Sequence, residues 1–156
     1  MALTIDTSGI DHELGDPRAV AIDLLSEVSA RLRRTLDGDL RALCDLPLSW
    51  FEVLTHVAAA EGGCVAMSDL AAQISMTSSG VTRIADRMSA AGLLARGPCP
   101  DDGRVTLVQL TDAGSRRLAA AIPLHQQALE HALVEPLGGA DNLAALTSLL
   151  RALRAG

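Results

Sequence analysis

The sequence predicts a mainly α fold with a small β-hairpin wing, arranged as a winged helix-turn-helix with long helices on either side. Three observations predict it. Apolar residues recur at steps of three and four towards both ends of the chain. Two short helical segments follow one another within residues 68–91. Two short apolar strands then flank the turn signal Pro100-Asp101-Asp102-Gly103.

Residues 1–16 read as a polar arm without clear periodicity. Asp16-Pro17 suits an N-cap followed by proline in the first helical turn. From there Leu25, Val28, Leu32, Leu36, Leu40 and Leu43 form one apolar stripe, which Gly38 weakens without ending. Cys44-Asp45-Leu46-Pro47 breaks that helix. Ser49 is expected to cap the next one, with Glu52 completing a capping box and Leu48 and Val53 forming a hydrophobic staple. This helix should run to about Ala60, before the loop Glu61-Gly62-Gly63. Cys64-Val65-Ala66-Met67 suits a short strand. Ser68 is placed to cap a helix reaching about Ile74, and Thr77 or Ser78 to start another that ends before Gly92. Strands are expected at 93–98 and 105–110. Thr111 should cap a helix with Asp112 in its first turn, and Pro123 should kink or interrupt it. Beyond the loop Pro136-Leu137-Gly138-Gly139, the residues Leu143, Leu146, Leu150 and Leu153 share one stripe of a last helix. The expected segments are an arm at 1–16, a first helix at 17–48, a central region at 49–114 and C-terminal helices at 115–156.

With 49% apolar residues in 156, the chain has ample material for one core with helical extensions. No apolar run is long enough to span a bilayer. Residues 1–15 lack the basic start and apolar centre of a secretory leader, so a cytoplasmic setting is expected. Cys44, Cys64 and Cys99 are odd in number and widely spaced, a pattern of reduced thiols and not of a disulfide framework. A net charge of −6 argues against indiscriminate nucleic-acid binding. The charge is uneven: residues 1–67 carry 5 arginines against 11 acids, whereas residues 68–117 carry 6 against 5. The middle of the chain thus permits phosphate contact without demanding it. Trp50 and Phe51 are the only aromatic residues. No stacking platform for single strands can be built from them, so double-stranded DNA read by a helix is the favoured nucleic acid.

Within residues 68–91, Leu70, Ile74, Met76, Val81 and Ile84 hold the positions that bury apolar groups between two helices. Ala71 allows close approach, and Ser75 stands at the turn. On the second helix Val81, Ile84, Ala85 and Met88 share an inward face. Ser79, Thr82, Arg83 and Asp86 lie opposite, with Arg87 on the flank. Small hydroxyls and arginine near a helix start suit the major groove, where arginine grips guanine bidentately. Gly80 adds no bulk that would hold the helix away. Ser79, Thr82 and Arg83 are therefore assigned to bases, and Thr77, Ser78 and Arg87 to phosphates, aided by helix-start N–H groups. An ordinary solvated helix pair would show a similar polar face. The hairpin shifts the balance, because Asp102 is placed to orient Arg104, and a wing-tip arginine fits a narrow minor groove.

The segment Asp102-Gly103-Arg104-Val105-Thr106-Leu107-Val108-Gln109-Leu110-Thr111-Asp112-Ala113-Gly114 resembles the MarR family's pattern of Asp-x-Arg, an alternating strand and Leu-Thr-x-x-Gly. Upstream, Ser79-Gly80-Val81-Thr82-Arg83-Ile84-Ala85-Asp86-Arg87-Met88 resembles its recognition helix, and Gly92-Leu93-Leu94 resembles the start of its wing. The resemblance implies a transcription regulator, more often a repressor, that binds a palindromic operator as a homodimer through its first and last helices. It also implies a small-molecule effector held between the dimer and DNA-binding regions. Trp50, Phe51 and His56 are the candidate ligand residues, on the helix where such a pocket would begin; ordinary core or boundary roles account for them more readily. Oxidation sensing is another mechanism of the family, and Cys99 in the wing is its candidate thiol. His125 and His131 are six apart and share no helical face, while His12 and His56 have no ligand cluster nearby, so no metal or cofactor is expected. Phosphate-binding loops, dinucleotide fingerprints, nucleophile elbows and metal-hydrolase motifs are all missing, which argues against an enzyme. Two alternatives stay open: a winged-helix module for protein partners without DNA binding, and a thiol-based redox regulator using Cys99.

Overall fold

The computed structural model describes residues 16–74, 77–99 and 105–155. The expected arm, the turn pair Ser75 and Met76, and the hairpin tip with Asp102 and Arg104 lie outside the described residues. Helix α1 spans Pro17–Cys44 and α2 spans Leu48–Ala59. Strand β1 (Cys64–Ala66) leads directly into α3 (Met67–Gln73), and α4 spans Ser78–Ala90. Strands β2 (Leu94–Pro98) and β3 (Thr106–Leu110) form the hairpin, followed by α5 (Asp112–Leu129) and a π-helical turn at Glu130–Val134. The turn Glu135–Leu137 and α6 (Ala140–Ala155) complete the described chain. No helix among the described residues is long and apolar enough to cross a membrane.

Local chemistry explains most of these boundaries. Asp16 accepts the Arg18 backbone N–H at 2.8 Å, which satisfies one unpaired donor at the start of α1. The helix stops where Asp45 adopts a left-handed φ of 48°. Thr77 and Thr111 cap α4 and α5, accepting the N–H groups of Gly80 and Gly114 at 3.2 and 3.0 Å. The end of α4 is a Schellman motif. Gly92, at φ 73°, donates to the Ser89 carbonyl, and Leu93 donates to Met88, each at 2.9 Å.

Three expectations are corrected. Ser49 does not cap α2; it lies inside the helix, which begins one residue earlier after Pro47. The cap is supplied by Asp37, eleven residues away, which accepts the Leu48 N–H at 2.8 Å. Ser68 likewise lies inside α3, because extended Ala66 passes directly from strand to helix with no side-chain cap. Pro123 does not interrupt α5, which continues to Leu129. Pro123 and Ala119 are both exposed, so water can meet the carbonyl that proline leaves without a donor.

The chain divides after Arg34 into two compact units. In the first, Val20, Ile22, Leu24, Leu25 and Val28 of α1 are exposed. The second holds the core. Leu40, Leu54, Leu70, Val81, Met88 and Val108 are at most 1% exposed. The antiparallel sheet has the order β1-β3-β2, with Val65 opposite Val108 and Arg96 also opposite Val108 on the other side. The central strand therefore ties the hairpin to the segment that precedes α3. Gly114 sits where the Leu93 backbone passes against the start of α5; a Cβ there would lie 2.1 Å from the Leu93 carbonyl oxygen. No larger residue fits without moving backbone.

Candidate nucleic-acid interface

The second helix of the pair, α4, divides sharply between two faces. Val81, Ala85 and Met88 are wholly buried, and Ile84 is half-buried. Thr77, Ser78, Ser79, Thr82, Arg83, Asp86 and Arg87 are all exposed. The apolar face is held against α2 and α3, so the core turns the polar face outward.

Hydrogen bonds set what each exposed group can still offer. The Thr82 hydroxyl donates to the Ser78 carbonyl at 2.8 Å, so its free capacity is as an acceptor. Thr77 Oγ1 is engaged with the Gly80 N–H and lies 3.4 Å from Ser79 Oγ. Neither Arg83 nor Arg87 has a salt-bridge partner among the described residues. The first turn of α4 carries no acid, which leaves the positive end of the helix dipole open to an anion.

Asp86 is the exception on this face. Arg96 of β2 reaches it, Nη1 donating to Asp86 Oδ1 at 2.6 Å, while Nη2 donates to the Thr82 carbonyl at 3.3 Å. The sequence places Arg96 near Cys99 in the wing but does not by itself give its contact with α4. The available signal was Asp86 itself, the sole acid on an otherwise cationic helix face. A groove of about 360 Å³ lies beside this contact, lined by Met67, Ser68, Thr82, Arg96, Val105 and Thr106.

The candidate ligand residues separate. Phe51 is buried in the core, stacked on His125 with ring centroids 4.4 Å apart. Burial lowers the pKa of His125, opposed by the nearby Glu52 carboxylate. His56 is half-buried in the last turn of α2. Trp50 borders a different cavity of about 550 Å³, together with Leu46, Leu93, Arg116 and Arg117. Arg117 donates to the Asp45 carbonyl at 3.0 Å. Sequence reasoning missed both arginines, which follow the α5 cap and carry no local motif. Cys44, Cys64 and Cys99 are all half-buried and free. Among the described residues no group of three His, Cys, Asp or Glu side chains could hold a metal ion.

A family model described as "MarR family" matches residues 45–105, from just before α2 to just before β3. The multiple antibiotic resistance protein MarR of Salmonella typhimurium is 33% identical over 131 residues, covering 82% of this chain and 86% of that protein. Among solved structures, a mutant MarR from E. coli complexed with operator DNA is 30% identical, with a TM-score of 0.75 over 84% of this chain and 91% of that one. Sco3205, a MarR family transcriptional regulator from Streptomyces coelicolor solved in complex with DNA, shares the fold at a TM-score of 0.78. It is 24% identical and covers 86% of this chain and 87% of that one.

Proposed function

The chain belongs to the MarR family of transcription regulators, which are not enzymes, and from that premise we propose that it is a repressor acting as a homodimer on a palindromic operator. One observation carries the reading: α4 presents Ser79, Thr82, Arg83 and Arg87 outward above a wholly buried Val81, Ala85 and Met88. Arg83, Thr82 and Ser79 contact bases. Thr77, Ser78 and Arg87 hold phosphates around the open start of the helix. Arg104 supplies the wing contact. Residues 17–48 and 115–156 form the dimer, and 49–114 form the DNA-binding region. Two-fold symmetry then sets the half-sites roughly 10 bp apart. The protein acts in the cytoplasm, where its operator lies.

Release from DNA follows binding of a small effector. The cavity lined by Trp50, Arg116 and Arg117 joins an aromatic residue to two cationic ones, a combination that suits an aromatic acid.

The test is fluorescence anisotropy with the full chain, on DNA from upstream of its own gene and on a scrambled control, across a salt series. Tight, salt-dependent preference for the native fragment is expected. Arg83→Ala should relax specificity at a cost of about 1–3 kcal/mol. Equal binding of matched and mismatched sites by wild type and Arg83→Ala defeats the base assignment. A wild type with no preference in a genome-wide selection leaves the protein-partner module as the reading.

A further inference from the structure

We propose that Arg96 is a positioning residue for DNA recognition, the strut that holds the hairpin at a set angle to α4 and cancels the charge of Asp86. The inference rests on the DNA-binding reading above.

Asp86 lies on the same exposed face as Thr82 and Arg83, and it is the only acid between Ser78 and Ala90. An unpaired carboxylate there would repel the phosphate backbone that the neighbouring arginines attract. Arg96 removes that conflict. Its guanidinium spans one turn of α4, bonding the Asp86 carboxylate at 2.6 Å and the Thr82 carbonyl at 3.3 Å. Only 26% of the Arg96 side chain remains open, against 57% for Asp86, so the arginine is the more fixed member of the pair. Its backbone is fixed too. Arg96 pairs with Val108, which is fully buried, and Leu94 two residues earlier is 3% exposed.

The strut therefore joins two rigid parts, the core-anchored sheet and the core-anchored helix, at the point where both face outward. A planar fork can hold a carboxylate and a carbonyl together, whereas lysine offers one compact charge. Holding that angle keeps α4 and the wing in register with adjacent grooves. Losing it leaves each part able to touch DNA without both reading one site.

Charge counting predicts the opposite outcome for each partner. If Asp86 were mere repulsion, Asp86→Asn would tighten binding to all DNA. If Arg96 were a phosphate contact, Arg96→Gln would lower the salt slope by about one with specificity kept. The strut predicts that each replacement lowers the ratio of specific to scrambled binding by about tenfold, with the salt slope unchanged. The double variant should be no worse than the poorer single variant, because both break one contact. Arg96→Lys should recover part of the ratio.

The measurement is anisotropy on a fragment selected by the wild type, with hydrogen exchange of the DNA-free chain at residues 94–98 as a second readout. Faster exchange in Arg96→Gln with an unchanged circular-dichroism spectrum supports the strut. Tighter general binding by Asp86→Asn with its ratio of specific to scrambled binding kept, a reduced salt slope with specificity retained in Arg96→Gln, or unchanged exchange overturns it. Wild-type protein that prefers no fragment overturns the regulator reading and this role together, and it is recognised before any variant is compared.

Discussion

Helices α4 and α6 are both amphipathic, yet they treat their apolar residues in opposite ways. In α4, Val81, Ala85 and Met88 are 0% exposed and the polar face is outside. In α6 no residue is buried, and Leu149, Leu150 and Leu153 are 66%, 42% and 70% exposed. The first helix is packed by its own chain and is finished as a surface for something polar. The second has an apolar face that the described residues leave open. In α1, the exposed Val20, Ile22, Leu24, Leu25 and Val28 show the same condition. Several large apolar side chains exposed on one helix suit a partner surface, and a second copy of this chain is the partner proposed above.

The largest expected effect lies on the self-packed side. Gly114→Ala places a methyl group against the Leu93 carbonyl, which is backbone and cannot rotate away. We expect a loss of about 3 kcal/mol, read by urea denaturation. A loss under about 1 kcal/mol would show that the junction of hairpin and α5 is looser than its geometry. Next comes Leu153→Ser in α6. It should leave the helical content and monomer fold intact but weaken the dimer by about 2 kcal/mol per chain, as read by sedimentation equilibrium across concentrations. An unchanged dimer constant would remove Leu153 from the interface and turn attention to Leu149 and Leu150.

A smaller effect separates cap from contact within α4. Thr77→Ala deletes the acceptor for the Gly80 N–H and should cost about 1 kcal/mol of stability. Thr77 is also proposed to hold a phosphate. If it does, DNA affinity falls in Thr77→Ala, whereas Thr111→Ala, which removes the cap of α5 and also the hydroxyl's bond to the Gly92 carbonyl, costs more stability and leaves affinity unchanged. Equal affinity losses in the two would reduce Thr77 to a cap.

Those two threonines also show what the sequence made legible. A cap bond from an N–H to the Thr three residues before it is local, so Thr111 is readable from its immediate neighbours and Thr77 is one of two candidates, with Ser78, for the start of α4. The two faces of α4 were readable for the same reason, since helical period alone separates Val81, Ala85 and Met88 from Thr82, Arg83 and Asp86. Ser49 and Ser68 had a similar local pattern and were misassigned. In the first case a carboxylate eleven residues away, Asp37, took the role; in the second, the strand ran straight into the helix. Arg96 and Asp86 are ten residues apart on different elements, and Trp50 meets Arg116 and Arg117 only through folding. Periodicity cannot report such meetings, because it describes one element at a time.

The smallest effect tests the buried side of the comparison through pH. His125 stacks on Phe51, and burial holds its pKa below the ordinary value while Glu52 pulls in the other direction. The folded protein therefore binds fewer protons here than the unfolded chain does once pH falls through about 6.5, the usual range for histidine. Stability from this group is full above that pH and declines as pH drops towards the lowered folded value. The imidazole is only partly enclosed, so the slope should be shallow. Thermal melts of wild type and His125→Gln from pH 7.5 to 5 should converge or cross towards acid, as the wild type loses what the uncharged variant cannot lose. Parallel curves would mean that His125 titrates alike in both states and that its contact with Phe51 tolerates a charge.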